Sequence, residues 1–242
     1  MIKFLTSNLM HYHKSNGEIV VNEIDNSNGL VNQLKQYLKD NKCVLFIASD
    51  SADIDATDKH SKLLFDALSL SGINFENYYM LDQRNKDKTV EYISQANLII
   101  LNGGSTYLQN NFFKEINLKE NIENYDGVVL GISAGSLNMS TEVFNSPEEL
   151  DNSEPINFDG LGLTDINIEP HFVLEMSPDP TQEEIYQRKY IEKESITRDL
   201  IGLVDGSHIL INDEGNYLYG ESYLIRDGNI SKICNNGEGV TF

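Results

Sequence analysis

Apolar stretches alternate along the chain with segments of helical period, which predicts a mostly parallel sheet covered by helices on both faces. Short apolar runs at 3–5, 43–48, 78–81, 98–101, 127–131 and 166–168 are the strand candidates. Those at 43–48 and 98–101 are nearly uninterrupted, as strands buried on both faces require. Helices are predicted over 30–39, with Asn28 as a cap, and over 58–71, stopped by Gly72. Two more, 106–113 and 134–139, each begin directly after a glycine-rich turn, and 181–199 is a charged, amphipathic stretch at helical spacing. From 203 onward the character changes. Short strands at 203–205, 207–212, 217–219, 221–226 and 230–234 are separated by Asp213-Glu214-Gly215 and Asp227-Gly228-Asn229, which are hairpin signals. They predict an antiparallel extension on one edge of the main sheet. No repeat, low-complexity tract or linker interrupts 1–242, so a single α/β domain is expected.

Composition narrows the possible partners. Hydrophobic residues make up 40% of the 242 positions, which is ordinary for a globular protein, but 38 acidic against 18 basic residues leave a formal net charge of −20. Such a surface repels nucleic acid and anionic membranes, so neither is expected as a partner. Cys43 and Cys234 match no metal or redox spacing; no disulfide is expected, and Cys43, beside an apolar run, is expected as a buried thiol. Residues 1–10 read as a strand and loop rather than a signal peptide, and no apolar run approaches bilayer length. The expectation is a cytoplasmic protein, monomeric or homodimeric.

The sharpest chemical signal is Gly131-Ile132-Ser133-Ala134-Gly135, which follows an apolar strand and precedes a helical pattern. That is the context of a nucleophile elbow, a turn that lifts a serine hydroxyl clear of the sheet at the positive end of a helix. Upstream, Asn102-Gly103-Gly104-Ser105-Thr106 ends another strand. Backbone amides of Gly103 and Gly104, joined by that of Ala134, can point at a developing oxyanion; a tight turn needing glycine for its backbone angles is the simpler alternative. Both turns fall at carboxyl ends of strands, where open α/β sheets place their sites. Among five histidines, His11, His13 and His60 are expected at the solvated surface and His208 in a structural role. His171 follows Ile168-Glu169-Pro170 at a strand end and is the candidate base. Glu142, Glu148, Glu149, Asp151, Glu154, Asp159 and Asp165 lie between serine and histidine, and the acidic loop 147–155 is the expected source of the orienting carboxylate. No zinc-peptidase spacing occurs, and no metal or organic cofactor is implied.

These three motifs, Asn102-Gly103-Gly104-Ser105-Thr106, Gly131-Ile132-Ser133-Ala134-Gly135-Ser136 and Ile168-Glu169-Pro170-His171-Phe172, resemble in order and spacing the peptidase E (aspartyl dipeptidase) and cyanophycinase family, over roughly 43–210. The resemblance implies a flavodoxin-like fold akin to class I glutamine amidotransferases. It also implies a serine peptidase that cleaves short peptides beside an acidic residue, with Ser133 as nucleophile and His171 as base. Two positions depart from the pattern. Ser153 stands where aspartyl dipeptidases carry the triad aspartate, so the resemblance leaves the neighbouring Glu154 for that role, with Asp151 second. Gln182 stands where they carry the arginine that pairs with the substrate carboxylate, and Arg188, farther along the same helix, is the remaining candidate cation. Strict aspartyl specificity is therefore not expected. An α/β-hydrolase esterase and a catalytically silent binding homologue are the alternative readings.

Overall fold

In the computed structural model, which describes residues 1–147, 156–176 and 178–242, with backbone alone at 182, 183 and 186, an eight-stranded sheet carries the molecule. Five of its strands run parallel in the spatial order Asn77–Leu81, Cys43–Ile47, Leu98–Leu101, Val128–Ile132, Ile2–Thr6. Antiparallel strands His208–Asn212, Gly215–Tyr219 and Gly239–Thr241 continue the sheet beyond Ile2–Thr6. Successive side chains of a strand point to opposite faces, and here both faces are dry. Val44, Phe46, Leu98 and Ile100 join one core cluster, while Leu45, Ile47, Ile99 and Leu101 join the other. All eight side chains are 0% exposed, which is why these segments read as continuous apolar runs. Helices Leu30–Tyr37 and Ile54–Leu70 cover the first face through Leu30, Leu34, Leu64 and Leu68. Thr89–Gln95, Thr106–Glu115 and Leu118–Ile122 cover the second through Ile93, Phe112, Phe113 and Ile122. The result is the flavodoxin-like α/β arrangement that the periodicity and the resemblance predict.

Four expectations change. The C-terminal strands do not all extend the main sheet: Leu200–Leu203, Ser222–Arg226 and Asn229–Cys234 join Ile168–Glu169 in a second, four-stranded sheet. Turn residues fix local antiparallel pairing but not which sheet receives the pair. That choice follows burial, here of Phe172, Ile191, Leu200, Tyr223 and Ile225 in a cluster of their own. Asn28 does not cap the first helix. Gly29 stands at its start with φ of 83°, and the Asn28 side chain instead donates to the Gly206 carbonyl (3.0 Å) and accepts from the Gly237 N–H (2.8 Å). The segment after Met10, read as loop, forms a hairpin of Tyr12–Ser15 and Glu18–Val21, turned at Asn16 and Gly17, both with positive φ. The short helices Thr89–Gln95 and Leu118–Ile122 were also not foreseen.

Candidate active site

Ser133 sits on the turn between strand Val128–Ile132 and the short helix Ala134–Leu137, with φ 48° and ψ −109°. A non-glycine residue at such angles is strained, and the surroundings hold it there. Its N–H donates to the Thr6 carbonyl at 2.9 Å, and Ser136 Oγ bridges the Thr6 backbone, accepting from N–H and donating to C=O at 2.8 Å each. The flanking glycines are needed for close approach. A Cβ on Gly131 would lie 2.6 Å from Ser136 N, and one on Gly135 would lie 2.1 Å from the Leu101 carbonyl oxygen. Because Val128–Ile132 lies between Leu98–Leu101 and Ile2–Thr6, the loops leaving those two neighbours flank the serine on either side.

His171 also has positive φ, 56°, directly after strand Ile168–Glu169. Its Nε2 lies 3.1 Å from Ser133 Oγ, and its Nδ1 lies 2.8 Å from Asp205 Oδ1. With the ring proton on Nδ1, the imidazole donates to Asp205 and leaves Nε2 to accept from the serine hydroxyl. Strand pairing explains the meeting. Ile168 is paired in parallel with Ile201 and Glu169 with Gly202, so the same register carried past the strand ends brings His171 beside Val204 and Asp205. Fully buried Ser7 locks the arrangement, accepting from the His171 N–H and donating to Asp205 Oδ1, both at 2.7 Å. Partial burial pulls the Asp205 pKa up, but hydrogen bonds from His171, Ser7 and Asn8, with the charge of His171, outweigh it and hold the carboxyl below its ordinary value.

The stretch between serine and histidine was the expected source of the orienting carboxylate. Glu154 and Asp151 lie outside the described residues, and the carboxylate seen at Nδ1 is Asp205, beyond the histidine in the chain. Of the other candidates, Glu142 pairs with Arg198 (2.9 Å) and Asp165 accepts from Thr141 (2.8 Å).

Gly103 and Gly104 line the cleft at Ser133, and among the described residues their N–H groups have no acceptor. Ala134 opens its helix, so its N–H has no intrahelical partner either. Behind these amides runs a ladder of buried side-chain amides. Gln109 donates to the Asn102 carbonyl (2.7 Å), Asn138 donates to Gln109 (3.0 Å) and to the Thr106 carbonyl (2.9 Å), and Asn110 donates to Asn138 (3.0 Å). It joins the glycine turn to the helix behind Ser133.

Two cavities meet at His171. One, of about 270 Å³, holds Ser133 and the glycine turn, and its outer wall is made of His11, Tyr12, His60 and Leu64. His11, expected at the solvated surface, is instead partly buried in the cleft; His60 and His13 are exposed as expected, His60 at the cleft wall and His13 on the hairpin. The other cavity, of about 440 Å³, lies beyond His171 and is lined by Phe172, Met176 and Arg188 together with the carboxylates of Glu169, Glu175 and Glu184. Arg188 stacks over the Phe172 ring, 4.9 Å from its centroid, and donates to the Val173 carbonyl. Gln182 opens the helix Gln182–Glu194, and its side chain lies outside the described residues. Among the described residues no group of three or more His, Cys, Asp or Glu could hold a metal ion, and no helix is long and apolar enough to cross a membrane.

A Peptidase E of Nostoc sp. (strain PCC 7120 / SAG 25.82 / UTEX 2576) is 29% identical over 146 residues, covering 57% of this chain and 59% of that relative. The chain thus aligns with little more than half of the curated relative's length. A peptidase from an acI-B1 Actinobacterium superposes with a TM-score of 0.67 at 14% identity, covering 100% of this chain and 96% of the other. A Listeria monocytogenes EGD-e protein provisionally described as a peptidase E gives 0.59 at 16% identity, covering 96% and 98%. These two likenesses are of fold. The family model for peptidase family S51 matches residues 15–218, a span that includes both glycine turns, Ser133, His171 and Asp205, and the chain belongs to that family.

Proposed function

We propose that this protein is a serine peptidase acting on short peptides, with Ser133 as nucleophile, His171 as general base and Asp205 as the carboxylate that orients it. The observation that carries the reading is the continuous hydrogen-bonded chain from Ser133 Oγ through His171 to Asp205, built at a strained strand-to-helix turn. His171 takes the hydroxyl proton as Ser133 attacks the peptide carbonyl, and the new oxyanion lies against the amides of Gly103, Gly104 and Ala134. The imidazolium then gives its proton to the leaving amine. Water, deprotonated by His171, hydrolyses the acyl-enzyme. Asp205, held anionic by its hydrogen bonds, stabilises the imidazolium at both steps.

The amine must depart from the side of His171, so the cavity beyond that ring receives the leaving residue. Arg188 is the cation in that cavity, and its role is to meet the terminal carboxylate of a dipeptide. This is a different task from the one the aspartyl dipeptidase pattern assigns to the position of Gln182.

The test is hydrolysis of Asp-Leu, Glu-Leu, Ala-Leu and Lys-Leu by wild type and Ser133→Ala. Cleavage by the wild type that falls at least a thousandfold in the variant is expected. Fast turnover of p-nitrophenyl esters with none of any peptide would favour an esterase instead. Arg188→Met is expected to raise KM for dipeptides about tenfold and to leave C-terminally amidated substrates unaffected. An equal effect on both would remove Arg188 from the leaving-residue site.

A further inference from the structure

The amine leaves past His171, so the residue that acylates Ser133 must extend the other way, toward the wall formed by His11, Tyr12, His60 and Leu64. No lysine or arginine lines this cavity, and none occurs at the undescribed positions 148–155 and 177. His11 is neutral at physiological pH, since burial first and the nearby His60 second lower its pKa to about 4. A carboxylate seated here would lose hydration without gaining a cation, within a chain that already carries a net charge of −20.

The cavity is nonetheless polar, and its polar groups are not used up internally. Asn102, only 8% exposed, has a buried Oδ1 with no hydrogen-bond partner, and His11 Nδ1 is likewise unpartnered. Buried polar atoms left this way in a native site call for a partner, and in a binding cleft that partner is an ordered water or a polar group of the ligand that replaces it. A neutral imidazole offers one donor and one acceptor, and an amide carbonyl adds an acceptor. The complement is a group with two N–H donors and one carbonyl oxygen. Leu64 and Tyr12 supply apolar contact for a short stem.

We infer that the acyl-side subsite takes an uncharged carboxamide side chain, asparagine or glutamine, read by His11 and Asn102 with His60 at the rim. The inference rests on the peptidase reading for which side of Ser133 the acyl residue occupies. It differs from that reading in what it requires of the substrate.

Two readouts at pH 7.5 test it: binding of Asn-Leu, Gln-Leu, Asp-Leu and Leu-Leu to Ser133→Ala by calorimetry, and kcat/KM of the wild type on the same four. Asn-Leu and Gln-Leu are expected to exceed both Asp-Leu and Leu-Leu by at least tenfold in each readout. His11→Phe should abolish the advantage of Asn-Leu over Leu-Leu. His60→Lys, at an exposed helical position tolerant of substitution, should raise Asp-Leu relative to Asn-Leu at least tenfold. If Asp-Leu is preferred, or Leu-Leu equals Asn-Leu, the inference fails while the peptidase reading stands. If the wild type cleaves none of the four but Ser133→Ala binds Asn-Leu above Asp-Leu, the peptidase reading fails and the subsite stands. Absence of both cleavage and binding overturns the inference.

Discussion

Asp205 is held by three neighbours at once, His171, Ser7 and Asn8, and its value to the site lies in fixing one tautomer of the imidazole. An amide at that position keeps the shape but can donate to Nδ1, which favours the tautomer with its proton on Nε2, where the serine proton must go. Asp205→Asn is therefore expected to lower kcat by about a thousandfold or more with KM within a fewfold, while Glu154→Gln changes kcat less than fivefold. Steady-state kinetics on whichever dipeptide is cleaved best decide it, and the reverse pattern would return the role to Glu154. The serine and histidine were legible in the chain because a strand-to-helix glycine turn and a strand-ending Pro-His leave local marks. Asp205, the carboxylate proposed here, left none. Its neighbour His171 is brought to it by parallel pairing of Ile168–Glu169 with Leu200–Leu203, a long-range contact that no local pattern encodes. Ser7 was hidden for the same reason, as its partners lie 164 and 198 residues away.

At the scale of elements, two turns must be held in one geometry, and the ladder Asn102–Gln109–Asn138–Asn110 does this from beneath. Asn138 is 0% exposed and meets three partners. Asn138→Leu keeps roughly the volume but strands the Gln109 oxygen and an Asn110 N–H, each costing about 1–3 kcal/mol when buried unpaired. A stability loss of about 2–5 kcal/mol in urea titration is expected, with kcat reduced more than KM is raised, since the ladder sets where the Gly103 and Gly104 amides proposed as oxyanion donors stand. Unchanged stability would mean that the ladder is not the support described. Strongly apolar elements were readable in advance, as Leu98–Leu101 and Cys43–Ile47 show. The hairpin Tyr12–Ser15 and Glu18–Val21 was not, because it lies apart from both large sheets and its first strand is wholly exposed, leaving no alternation to read. That gap is also why His11 was assigned to solvent: its place in the cleft follows from the route of the chain out of the first strand.

For the molecule as a whole, two electrostatic effects oppose each other in acid. The net charge of −20 repels itself, so screening by salt should raise stability at pH 7.5, and protonating carboxylates should do the same as pH nears 4. Against this stands His208, 0% exposed, stacked on Tyr219 and bonded through Nε2 to Gln33 at 2.8 Å. Burial lowers its pKa to about 3, only partly offset by Asp25. The folded form therefore refuses a proton that the unfolded chain accepts below about 6.5, so the neutral ring's stabilising contribution is complete above that pH and declines as pH falls toward 3. Between pH 6.5 and 5 most carboxylates remain ionised and repulsion is scarcely relieved, so the histidine effect should dominate. Each unit of pH is worth about 1.4 kcal/mol for one such group, which predicts about 2 kcal/mol lost over that interval. His11 shifts in the same direction and adds to it. Urea unfolding at pH 7.5, 6.0 and 5.0 should show this fall in the wild type and a clearly shallower one in His208→Phe, whose lower stability at pH 7.5 reflects the lost bond to Gln33. Parallel pH slopes in the two proteins would show instead that the His208 imidazole takes up its proton as readily in the folded state as in the unfolded one and contributes nothing to the acid response.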